Sequence, residues 1–78
     1  MPRFFFHVYD HAVALDEEGL ELPDLQAAER EAVRGARSLA CEQIEHGELH
    51  LDHRIDVEDE GGEALFSIRF GEAIDVSA

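Results

Sequence analysis

From Arg3 to Tyr9 the stretch "RFFFHVY" sets Phe4, Phe6 and Val8 on one face and Phe5, His7 and Tyr9 on the other. That is the two-residue period of a strand built from β-prone residues. Asp10-His11 then reads as a two-residue turn into a short returning strand, "AVAL" at 12–15. The period changes after "DEEG", where Gly19 supplies backbone freedom that other residues lack. Leu25, Ala28, Ala32, Val33, Ala36, Leu39, Ala40 and Ile44 recur at helical spacing and make one broad apolar stripe. Pro23 suits the first turn, Asp24 is placed to cap it, and Gly47 is a C-terminal stop, so the spacing predicts a helix over 23–46. Two further alternating runs, "RIDVEDE" and "ALFSIRF", flank Gly61-Gly62 and predict a hairpin with strands at 54–59 and 64–70. Ile55 and Val57 share one face of it with Phe66, Ile68 and Phe70.

The predicted order is β-β-α-β-β in a single domain over 1–78. This is an α+β fold: a mostly antiparallel sheet of three to four strands, with one long α-helix packed on one face. A strand order of 2-1-3-4 keeps every neighbouring pair antiparallel. The alanines of the stripe let the helix lie close to the sheet but bury little area each. On the sheet's second face, Phe5, Tyr9 and Leu65 are expected to stay uncovered, with His7 among them. An apolar patch of that kind marks an interface, so a homodimer is the expected assembly.

Charge narrows the partners. Nineteen acids face six basic residues, all arginine, for a net charge of −13. Broad phosphate-backbone binding needs clustered Lys and Arg, so nucleic acid is not an expected partner, whereas a basic protein is. Protonating all five histidines would move the charge from −13 to −8. Cys41 is the only cysteine, which leaves no disulfide within the chain and fits a reducing compartment. No apolar run approaches the ~18 residues of a membrane span, and "RFFFHV" is too short for a secretory core, so the expected location is the cytoplasm.

The candidate chemistry is sparse. His46, His50 and His53 fall within eight residues, with Glu48 and Asp52 between them, and imidazoles with a carboxylate can hold zinc, nickel or copper. Gly47 separates His46 from His50, so the two would not share a helical face, and surface loop histidines give the same pattern. Arg30, Arg34 and Arg37 form a basic patch opposite the apolar stripe, fit for an acidic partner surface. Their charge would also favour a reactive Cys41 thiolate, although a solvated helix face with Glu31 and Glu42 explains the same residues. Asp56, Glu58 and Glu60 are spaced by strand alternation rather than as a calcium loop. Asp16, Glu17 and Glu18 read as a turn, not as paired catalytic acids. With no phosphate loop, nucleophile elbow, cysteine pair or acid–base pair, neither an enzyme nor a cofactor is expected.

"PRFFFHVYD", "DEEGLELPDLQAAEREA" and "VEDEGGEALFSIRF" together resemble a domain-of-unknown-function family of small proteins common in alphaproteobacteria. That family reads P-R-[YF]-[FY]-F, D-x-E-G, L-P-D-L-x-x-A and a closing D-x-x-G-x-x-L hairpin, and the resemblance covers nearly the whole chain. It implies no activity, cofactor or catalytic residue. Members often carry Asp-Gly after the first strand, where this chain has Asp10-His11. A looser topological similarity links the hairpin and the "PDL" before the helix to HicB-like antitoxins, without their DNA-binding extension.

Overall fold

The aromatic run forms β1 (Arg3–Tyr9), and three of the other four strands pair with it. In the computed structural model, which describes residues 1–75, there follow β2 (Val13–Ala14), β3 (Leu20–Glu21), α1 (Leu25–Glu45), β4 (Arg54–Glu58), β5 (Ala64–Arg69) and α2 (Phe70–Ala73). The last three positions of the expected domain lie outside the described residues. The sheet runs β2-β1-β4-β5 with β3 also paired to β1, and every pairing is antiparallel. This is the expected α+β fold, with the order 2-1-3-4 intact and a fifth strand added. No helix among the described residues is long and apolar enough to cross a membrane.

Helix α1 begins two residues later than its proline suggests. Asp24 is the N-cap, its Oδ1 accepting from Ala27 N at 2.8 Å, so Pro23 stands outside the helix. Ala28, Ala32, Ala36 and Ala40 form the fully buried row, four residues apart. They lie over Phe4, Ile55 and Val57, with Phe6, Val8, Phe66 and Ile68 partly buried around them. Two members of the predicted stripe fall away: Leu25 and Ile44, at its ends, are exposed because the sheet is shorter than the helix. The second correction is at the C-terminus. The last strand stops at Arg69 instead of 70, and Phe70 opens α2, donating its N–H to His53 O at 2.8 Å. Glu72 accepts from Arg69 N at 2.9 Å, which starts this short helix and turns the fully buried Phe70 ring into the core.

The segment after β1 straps along its outer edge. The return strand is two residues, not the four expected at 12–15, because Asp10 and Ala12 close a three-residue turn. β2 covers the end of β1 near Val8 and Tyr9, and β3 covers the start near Arg3 and Phe4. Between them Asp16 takes the place of a strand: its Oδ2 accepts from Phe6 N at 3.1 Å. Its Oδ1 accepts from Glu18 N at 3.1 Å and Gly19 N at 3.0 Å, closing the turn that carries the chain into β3. Burial alone would raise the Asp16 pKa, but the N–H groups of Gly19, Phe6 and Glu18, with charge on His7, outweigh it and hold the carboxyl below 3.8.

Two expectations follow for this strap. Gly19 has φ +71°, and a Cβ there would lie 2.8 Å from Arg3 Cγ and 2.9 Å from Phe5 Cε2. Gly19→Ala should therefore cost about 2–4 kcal/mol and lower Tm by more than about 10 °C in a thermal melt. Because the folded carboxyl titrates below its ordinary value, its stabilisation is full above pH 3.8 and is lost as pH falls through the lower folded value. Urea unfolding across acid pH should show that loss, and Asp16→Asn should flatten it.

Candidate metal centre

The site begins where α1 ends. His46 is the C-cap, and Gly47 adopts φ +81°. Gly47 N donates to Ile44 O at 2.9 Å and Glu48 N to Gln43 O at 3.0 Å. This paired reversal folds the following loop back against the helix. Gln43, on the last turn, then holds the loop through its side chain. Its Oε1 accepts from His50 N at 2.9 Å, which leaves its Nε2 to donate to His53 Nδ1 at 2.8 Å. One amide therefore positions two of the loop histidines.

The third histidine comes from the opposite end of the chain. Tyr9 pairs with Arg54 at the end of the β1–β4 ladder, so the turn after Tyr9 lies beside the residue before Arg54. That brings His11 to His53 with ring centroids 5.0 Å apart, and to His50 at 4.7 Å, both edge to face. His50 and His53 stack at 4.4 Å with an interplanar angle of 11°. One donor atom from each of His11, His50 and His53 lies within 4.8 Å of the other two. His53 also meets Phe70 edge to face at 5.8 Å, so the cluster rests on the core through one ring.

Glu48 is the cluster's carboxylate. Its Oε1 is 2.8 Å from His11 Nε2 and 3.4 Å from His50 Nε2. The hydrogen bond from His11 is the main reason its pKa lies below the ordinary value, with slight desolvation opposing and the charges of His11 and His50 adding. His50 Nε2 is shielded from solvent and makes no hydrogen bond among the described residues. Its polar neighbour is the Glu48 carboxylate at 3.4 Å, which does not reach it as a hydrogen bond, and a shielded ring nitrogen left so is costly.

Four-coordinate zinc binds imidazole nitrogen at about 2.0–2.1 Å, which sets neighbouring ligand atoms about 3.4 Å apart. The three donors thus need to close by an ångström or so. Ring lone pairs lie in the ring plane, so the stacked His50 and His53 must tilt to aim at one point, a rotation about a soft terminal torsion. His53 must also exchange its bond with Gln43, at a cost of about 1 kcal/mol. Structural zinc sites release about 10–16 kcal/mol, against which these costs are small.

The structure replaces one member of the predicted trio. His46 turns back on its own helix, its Nδ1 at 2.8 Å from Glu42 O, and does not join the cluster. It lines a cleft of about 270 Å³ with Asp10, His11, Gln43 and Glu48 instead. The signal for His11 was present in the predicted strand order, which makes the residues after 9 and before 54 neighbours; spacing along the chain concealed it.

The second sheet face is polar, not the open aromatic surface expected. β4 contributes Arg54, Asp56 and Glu58 to it, opposite Tyr9, His7 and Phe5. Phe5 lies against Gly19, and Tyr9 lies under the Arg54 guanidinium at 4.3 Å. His7 is buried: its Nδ1 accepts from Asp16 N at 3.0 Å, so its Nε2–H faces Glu58 Oε1 at 3.1 Å. Leu65 is exposed at the β5 edge, where the ladder shifts register. On the helix, Arg30, Arg34 and Arg37 are exposed, as is Cys41. Arg37 donates to Ala73 O at 2.6 Å and Arg34 pairs with Glu31, so the basic patch is largely spent within the fold.

A family model, described as a domain of unknown function (DUF6894), matches residues 3–71. Neither the curated proteins nor the solved structures give a match.

Proposed function

The chain belongs to the DUF6894 family of domains of unknown function, and we propose that it is a non-catalytic binding domain for a late first-row transition-metal ion, held by His11, His50 and His53. The observation that carries this reading is the convergence of three imidazole donors within 4.8 Å, one of them buried without a hydrogen-bond partner. Imidazole-rich sites suit zinc, cobalt, nickel and copper; calcium and magnesium prefer all-oxygen shells. Metal and proton compete for the same ring nitrogens, so affinity falls in acid.

Zinc titrated into untagged protein in a calorimeter should bind with one equivalent. At a free concentration of 100 times Kd it should raise Tm by roughly 10–20 °C. His50→Ala and His11→Ala should each abolish both effects, whereas His46→Ala should leave them. Absence of saturable binding, or binding that survives both substitutions, would overturn the reading.

A second reading is favoured by charge. Five of the six arginines are engaged inside the fold: Arg3 with Glu21, Arg34 with Glu31, Arg37 with Ala73 O, Arg54 with Asp56 and Arg69 with Glu72. The net −13 is thus carried mostly by acids that face solvent, a field that would draw a basic protein partner in low salt.

A further inference from the structure

We propose that Glu48 is the fourth ligand of the histidine site and closes it into a four-coordinate centre of three imidazoles and one carboxylate, so that the domain stores or senses its ion and does not use it to activate water. The inference rests on the histidine reading above and adds to it the coordination number, and with that the kind of use. Structural zinc sites are closed by four protein ligands, whereas catalytic ones keep a position for water.

Three observations lead to Glu48. Its Oε1 already bridges two of the donor atoms, at 2.8 Å from His11 Nε2 and 3.4 Å from His50 Nε2. An ion drawn in between those two nitrogens therefore meets the carboxylate after a shift of about an ångström. The backbone that carries it is fixed, because Glu48 N is tied to Gln43 O by the reversal that ends α1. Gln43 thus anchors His50 and Glu48 together through their N–H groups, as a positioning residue behind two ligands, and holds His53 until the ion takes its place. Lastly, the ion pairs of Glu48 are to His11 and His50 alone among the described residues, so ligation breaks no bond outside the site.

Charge and proton balance are consistent with this. Three neutral imidazoles leave a divalent ion at +2, and one carboxylate lowers that to +1. The proton that His11 Nε2 shares with Glu48 leaves when the ion takes that nitrogen, and a neutral ring regains one at Nδ1 from solvent. The ring exchanges tautomers without net release.

Cobalt(II) tests this directly, since water in an open fourth position is exchanged for added azide with a change in the visible spectrum, whereas a position held by a protein carboxylate does not respond. Wild-type protein loaded with cobalt should give a spectrum that azide leaves unchanged. E48Q should weaken zinc binding at least about 10–100-fold, measured by competition with a chromophoric chelator, and its cobalt spectrum should respond to azide as water enters. Glu48 is exposed, so the metal-free circular dichroism of E48Q should match wild type. E42Q, across the adjacent cleft, should change neither readout. If E48Q binds zinc as tightly and with an unchanged cobalt spectrum, Glu48 is not a ligand. A wild-type cobalt spectrum that azide changes, with one equivalent bound, means water is present and the site is open. Either result overturns the closure and leaves the histidine reading standing; failure of wild type to bind zinc or cobalt at all overturns the histidine reading itself.

Discussion

The edge of β1 is finished by a side chain. A sheet edge presents unpaired N–H and C=O groups, and long flat edges invite pairing with other chains. Here the covering segment pairs twice with only two residues each time, and Asp16 spans the gap by accepting from Phe6 N. The same carboxylate closes the turn through Glu18 N and Gly19 N, while its own N–H meets the buried His7. One acid therefore fixes the strap, orients the one buried histidine and leaves the β1–β2 turn where His11 reaches the far loop. A neutral or longer side chain at 16 would leave several of these groups unpaired at once.

Around that edge the fold divides its labour. The centre is apolar and thin, with four alanines of α1 seated on Phe4, Ile55 and Val57. The two ends are polar and held by specific bonds. At one end Arg3 bridges the strap through Glu18 O and Glu21. At the other, Gln43, Glu48 and three histidines join the helix end, the β1–β2 turn and the approach to β4. Small domains gain little from burial alone, and here polar clasps stand where larger cores use area.

Most of the architecture was legible from periodicity. The shift from period two to period 3.6 and back gives the order of the main elements, and Asp24 and Gly47 mark the helix ends to within a residue or two. What escaped were features decided across the chain. β3 has only Leu20 and Glu21 and exists because Arg3 and Phe4 lie beside it. Phe70 continues the apolar alternation of β5 and so reads as strand, yet the Arg69–Glu72 pairing turns it into a helix. The second face looked aromatic when β1 was read alone; its polarity comes from Arg54, Asp56 and Glu58 in the neighbouring strand. The metal candidates were half visible for the same reason. His50 and His53 are near in sequence, and His11 joins them only through the register of β1 and β4.

The meeting of His11 with His50 also has a topological meaning. The chain between them contains β2, β3 and the whole of α1, so any group that ties the two rings encloses the helix in a covalent-like ring. Closing a loop of roughly 40 residues removes about 4 kcal/mol of conformational freedom from the unfolded chain in the entropic treatment of cross-links. A chain whose single cysteine cannot form an internal disulfide thus carries, in its imidazoles, a place where a reversible staple would constrain the unfolded ensemble over half its length.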